Sequence, residues 1–181
     1  MRHAFAALVL LLALIAGSAW ATDSRLDHLF QQLGQAQDAA EGDRIAMAIV
    51  DIWNRPADEV TRELLEHGQS ALFELDTKTA LAAFDASIER EPNYAEGWNK
   101  RATLYYVMGE FDASIADIVQ ALRLEPRHFG ALAGLGMVYD AQAHQQHALH
   151  AYRAALTINP YLNDVRKRAE TLEREIAASR I

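Results

Sequence analysis

Apolar residues recur along this chain every three or four positions, in short runs set apart by glycine, proline and acidic residues. Leu26, Leu29, Phe30, Leu33 and Ala36 make one stripe, and Ile45, Ile49, Ile52 and Trp53 a second. Leu81, Phe84 and Ile88 make another, as do Val165, Leu172 and Ile176 near the C-terminus. This period puts the apolar side chains on one face of a helix, so the chain reads as all-helical. Gly42 and Asp43 read as the break between the first two helices, and Gly109 and Glu110 as a tight turn. Asp58 is placed to cap the helix that runs to about Leu75, and Thr77 or Thr79 the one after it.

The helices repeat. Pro92, Pro126 and Pro160 are spaced 34 residues apart, and the intervals between them carry one pattern. In a frame from Phe129 it reads Leu132, Leu135, Gly136, Tyr139, Ala148, Tyr152, Ala155, Pro160. From Ala95 it reads Trp98, Arg101, Ala102, Tyr105, Ser114, Ile118, Ala121, Pro126, and from Thr61 Leu64, His67, Gly68, Ala71, Ala80, Phe84, Ser87, Pro92. A fourth frame, from Asp27, is degenerate: it has Phe30, Leu33, Gly34 and Ala46 but no tyrosine, and Pro56 falls two residues early. Small residues at 68, 102 and 136 suit a close crossing of the second helix over the first. One hairpin cannot bury its own apolar face, so such units must stack.

This pattern resembles the tetratricopeptide (TPR) repeat. Residues 96–103 (EGWNKRAT) and 125–136 (EPRHFGALAGLG) are also similar to stretches of a group of exported proteobacterial TPR proteins. The resemblance implies a TPR-type alpha-alpha solenoid of about four stacked helical hairpins and a C-terminal capping helix. The organisation expected is a signal peptide over 1–21, a degenerate TPR-like hairpin over 22–60, repeats over 61–94, 95–128 and 129–162, and the capping helix over 163–181.

The signal peptide is read from the residues themselves. A basic start at Arg2 and His3 leads into an apolar run from Ala4 to Ala16, then Ala19-Trp20-Ala21, a small-residue cleavage pattern. That run is short against the roughly 20 residues that span a bilayer. Cleavage after Ala21 and a location in the periplasm are therefore expected. The chain has no cysteine, which excludes disulfides, lipid attachment at an N-terminal cysteine, thiolate zinc and thiol catalysis. The net charge is −8, and removal of residues 1–21, whose one charge is Arg2, takes it a unit further. An acidic chain is a poor partner for nucleic acid.

In TPR stacks the first helices line a concave surface that holds peptides or partner helices. Carried over by repeat position, that groove would use Leu65, Gln69 and Leu72, then Asn99, Thr103 and Tyr106, then Met137 and Asp140. Some TPR domains clamp a terminal carboxylate with basic and amide residues. Asn99 and Lys100 fit part of such a set, but Gly130 and Gly134 stand where basic groups would be needed, so the clamp is not expected. Arg101 departs from the repeat, since an apolar residue normally packs there. It needs Asp85 or Asp117 as an ion-pair partner, or else serves as an anion contact. His144, His147 and His150, with His128 nearby, read as solvated surface histidines. The alternative is weak metal binding by the 144/147/150 run, above all by His147 and His150. The glycine run 130–136 reads as close helix contact, not as a phosphate loop. No H-E-x-x-H, G-x-S-x-G or P-loop motif is present, so neither catalysis nor a cofactor is expected. The reading is a periplasmic scaffold that holds a protein or peptide partner; a self-assembling structural subunit is the other alternative.

Overall fold

The computed structural model describes residues 24–179. The signal-peptide expectation for residues 1–21 lies outside them. Nine helices are described: α1 (Ser24–Leu33), α2 (Ala39–Trp53), α3 (Glu59–Phe73), α4 (Thr77–Arg90), α5 (Ala95–Met108), α6 (Phe111–Leu124), α7 (Phe129–Ala141), α8 (Gln145–Ile158) and α9 (Asn163–Ala178). Aspartates start α2, α3 and α4. Asp38 accepts from the Glu41 N–H at 2.8 Å, Asp58 from Thr61 at 3.3 Å and Asp76 from Thr79 at 3.1 Å. Each supplies a partner for an amide that helix geometry leaves unpaired. At α2 the Glu41 carboxylate also accepts the Gln37 N–H, completing a reciprocal cap. The break expected at Gly42 and Asp43 is thus misplaced: it falls before Asp38, and Gly42 lies inside α2.

Three hairpins, α3/α4, α5/α6 and α7/α8, form the stack, with α4 on α5, α6 on α7 and α8 on α9. The crossings explain the small residues of the pattern. A methyl group on Gly68 would lie 2.5 Å from the Phe84 ring, and one on Gly136 would lie 2.4 Å from the Tyr152 ring. The middle hairpin tolerates Ala102 because its partner position holds Ile118 in place of a ring. The turn inside each hairpin uses one left-handed residue at the same repeat position: Leu75 (φ 61°), Gly109 (φ 77°) and Ala143 (φ 58°). Only Gly109 adopts that conformation without a steric penalty. Helix α9 closes the stack, burying Ala169 and Leu172 against Ala148, Leu149 and Tyr152.

The first hairpin, α1/α2, docks in its own way. Leu26, Leu33, Ile45, Ile49 and Trp53 form a core with Phe129, flanked by Ile158, Tyr161 and Leu162. Those partners lie in the turns between repeats or at the helix ends beside them, so α2 lies along that edge of the stack as a strap. Tyr161 fits over Gly42, where a methyl group would come within 2.2 Å of its ring, and its hydroxyl donates to the Ala36 carbonyl at 2.7 Å. At the far end of α2, the Tyr94 hydroxyl donates to the Trp53 carbonyl. Between them Arg127 pairs with Asp27 at 2.6 Å and lies over the Phe30 ring at 4.3 Å. Among the described residues no helix is long and apolar enough to cross a membrane.

Candidate functional site

Helices α5 and α7 carry adjoining first-helix faces, and a hollow of about 190 Å³ opens between them. Asn99, Thr103 and Tyr106 line it from α5, and Gly130, Ala133, Gly134 and Met137 from α7. Ala102, Ile118 and Val138, all buried, form its floor. Four of the groove residues expected from the repeat therefore come together: Asn99, Thr103, Tyr106 and Met137.

The other four do not line it. Leu65 is only 4% exposed and packs in a core with Ala71, Ala80, Phe84 and Leu104, because the α3 face at that position meets α5. Leu72 is half-buried against the same core. Gln69 is exposed on α3, away from the hollow. Asp140 is taken by the capping helix, its carboxylate accepting from Arg168 Nη2 at 2.7 Å. Repeat position alone put these residues in the groove; at Leu65, Leu72 and Asp140 the neighbouring helices decided otherwise.

Beneath one end of the hollow lies a buried polar network that sequence reasoning missed. His128, 2% exposed, caps α7: its Nδ1 accepts the Ala131 N–H at 3.1 Å. Nδ1 must then hold a lone pair, so the ring proton sits on Nε2 and donates to Glu96 Oε2 at 2.8 Å. Glu96 also accepts from the Asn99 amide at 3.1 Å and pairs with Lys100 at 3.0 Å. Burial pushes the Glu96 carboxyl up, but the His128 N–H and the Lys100 ammonium outweigh it and hold the carboxyl below its usual range. The Trp53 ring of the strap stacks on His128, centroids 4.2 Å apart. The surface reading of His128 is therefore corrected. The available signal was its place just before the apolar start of α7, where caps occur. Asn99, its nitrogen held by Glu96, keeps its carbonyl oxygen as an acceptor at the hollow.

Arg101 meets both candidate partners. It contacts Asp117 through Nε (2.7 Å) and Nη2 (2.8 Å), and Asp85 through Nη1 (2.6 Å). Its guanidinium lies 5.0 Å from the Trp98 ring centroid and 5.7 Å from that of Tyr105, and the Asp117 pairing holds its pKa above the usual value. Lys100, a candidate clamp residue, is likewise engaged by Glu96. His144 and His147 are exposed and pack at the Tyr139 ring, and His150 is exposed on α8. Among the described residues no three His, Cys, Asp or Glu side chains converge as metal ligands do. The close-contact reading of the glycine run holds for Gly136 and fails for Gly134, which faces the hollow.

A family model described as tetratricopeptide repeat matches residues 95–128 and 129–161. A TPR repeat-containing protein of Rhizobium etli is 35% identical over 156 residues, spanning 86% of this chain and 76% of that one. Small glutamine-rich tetratricopeptide repeat-containing protein 2 of Mycosarcoma maydis is 28% identical over 68% of this chain, a match that spans 36% of the relative. Among solved structures, the Sgt2 TPR domain from Aspergillus fumigatus superposes with a TM-score of 0.64 at 19% identity, over 70% of this chain and 85% of that one. The first TPR of Spaghetti (RPAP3), bound to the HSP90 peptide SRMEEVD, superposes at 0.62 with 17% identity, over 65% and 93%. The repeat frame, the crossings at Gly68, Ala102 and Gly136, and these likenesses agree: the chain belongs to the tetratricopeptide repeat family.

Proposed function

We propose that this chain is a non-enzymatic scaffold of the periplasm that holds a protein or peptide partner in the groove between α5 and α7. One observation carries the reading: the hollow combines a buried apolar floor with a free amide acceptor at Asn99 and with Tyr106 and Met137 at its rim. An apolar recess with a few placed polar groups suits an extended segment, whose side chains enter while its backbone meets the amide. The solved TPR domain bound to SRMEEVD is a precedent for a peptide occupant. Binding would be non-covalent, with Asn99 setting register. The periplasmic part of the proposal rests on the sequence of residues 1–21.

The test is cross-linking in living cells, followed by osmotic release of the periplasm and mass spectrometry. A defined adduct is expected in the released fraction. The double variant Tyr106→Glu, Met137→Glu should lose it while keeping the helical circular dichroism of the parent. An adduct of undiminished yield in the variant, or one confined to the cytoplasm, would overturn the reading.

A further inference from the structure

The hollow exists because of what α7 leaves out. Glycine is the poorest helix former apart from proline, and at three of the six glycines within the described helices a neighbouring ring is the reason for it. A methyl group would strike the Tyr161 ring at Gly42, the Phe84 ring at Gly68 and the Tyr152 ring at Gly136. Gly134 has no such neighbour. A methyl there would meet only Ile118 Cδ1, at 3.8 Å, an ordinary contact; at Gly130 it would meet only the His128 ring, at 3.4 Å. Internal packing therefore does not require glycine at 130 or 134, yet both line the hollow.

The charges around it are already satisfied. Glu96 is paired with Lys100 and His128, Asp140 with Arg168, and Arg101 with Asp85 and Asp117. A charged group entering the hollow would lose water and find no free partner. An apolar group would instead cover the floor of Ala102, Ile118 and Val138.

From these observations we infer that the hollow is a pocket for one large, uncharged apolar side chain of an extended partner segment, and that Gly134 sets its size. The inference rests on the groove reading above and narrows it: the partner is held by an internal leucine-like or phenylalanine-like residue, not by a terminal carboxylate.

The experiment is an NMR titration of the full chain, labelled on backbone nitrogen and methyl carbon. The probes are N-acetyl-L-leucinamide and N-acetyl-L-phenylalaninamide, with N-acetyl-L-aspartate as the charged comparison. The apolar amides should produce saturable shifts of the Gly130 and Gly134 amides and the Met137 methyl, with millimolar affinity, as suits ligands of that size. In Gly134→Leu, which fills the pocket from within, affinity should fall at least fivefold. Gly134→Ala should raise Tm by about 2–4 °C, since it removes a helix-interior glycine, while weakening the same probes about twofold. Absence of shifts at these residues, equal shifts with N-acetyl-L-aspartate, or unchanged affinity in Gly134→Leu would each overturn the pocket. The two readings fail separately. Loss of the cross-linked adduct in the Tyr106/Met137 variant, with no response at Gly134, would keep the groove and remove the pocket.

Discussion

Along one edge of the stack, the turns between repeats at residues 91–94, 125–128 and 159–162 lie under or against the α1/α2 strap and its linker; along the other, the turns within repeats at 74–76 and 109–110 are bare, and the one at 142–144 meets the C-terminal end of α9. The covered edge holds a stacked Trp53 and His128, a buried Glu96 and a tyrosine seated over Gly42. The bare edge leaves Phe73 92% exposed and Leu75 73% exposed, the latter in a left-handed conformation. The difference shows two ways of finishing a repeat. The bare turns are made by local backbone rules alone. The covered turns depend on residues far away in the chain, and those contacts also set Asn99 at the groove.

The largest effect should come from removing the ring that joins strap to stack. Trp53→Ala is expected to destabilise the protein by roughly 3–5 kcal/mol, the range for deleting a buried large aromatic. Denaturant unfolding measures it, and amide exchange in α1 and α2 should accelerate more than in α5 or α7. A loss under about 1 kcal/mol would mean that the strap is held by something other than Trp53.

A smaller effect, with a set sign, belongs to the network beneath Trp53. The Glu96 carboxyl is held below its ordinary value of 4.5 in the folded chain. Its contribution to stability is therefore complete above pH 4.5 and drains away as pH falls through the lower, folded value. Glu96→Gln should cost about 1–3 kcal/mol at neutral pH, the range for losing a charged hydrogen-bond partner. The gap between parent and variant should close as the pH is lowered through the depressed folded value. A gap that stays constant across that titration would contradict the pairing with His128 and Lys100.

The smallest effect, opposite in sign, belongs to the bare edge. Leu75→Gly should stabilise by about 0.5–1 kcal/mol, because relief of a left-handed leucine, worth roughly 1–2 kcal/mol, exceeds the added freedom of the unfolded chain. Thermal unfolding checks it. A lowered Tm would show that the Leu75 side chain makes contacts on an edge that looks empty.

Much of the stack was legible in the residues. The 34-residue spacing of the prolines, the small residues at 68, 102 and 136 and the apolar stripe of α9 follow from local geometry repeated in register, so they can be read without coordinates. Half of the expected groove was legible for the same reason: Asn99, Thr103, Tyr106 and Met137 sit where repeat position puts them. Leu65, Leu72 and Asp140 were misread because their surroundings are set by α5, by the core under α3 and by α9. His128 was misread because its burial depends on Trp53, 75 positions away in the chain. The glycine run was misread in part because Gly134 and Gly136 look alike in sequence and point to different neighbours.

By itself, the sequence determined that the chain is helical, that its hairpins recur with a fixed period, and which residues make the close crossings inside each hairpin. Those features depend on contacts between residues a fixed, short distance apart. Tertiary structure alone decided that α1 and α2 form a strap along the inter-repeat turns, that Glu96 and His128 are buried together, and that α7 leaves a hollow opposite Asn99. The physical reason is range: repeat-internal packing is encoded by period, whereas docking of the strap and the shape of the groove arise from surfaces that meet only once the chain has folded.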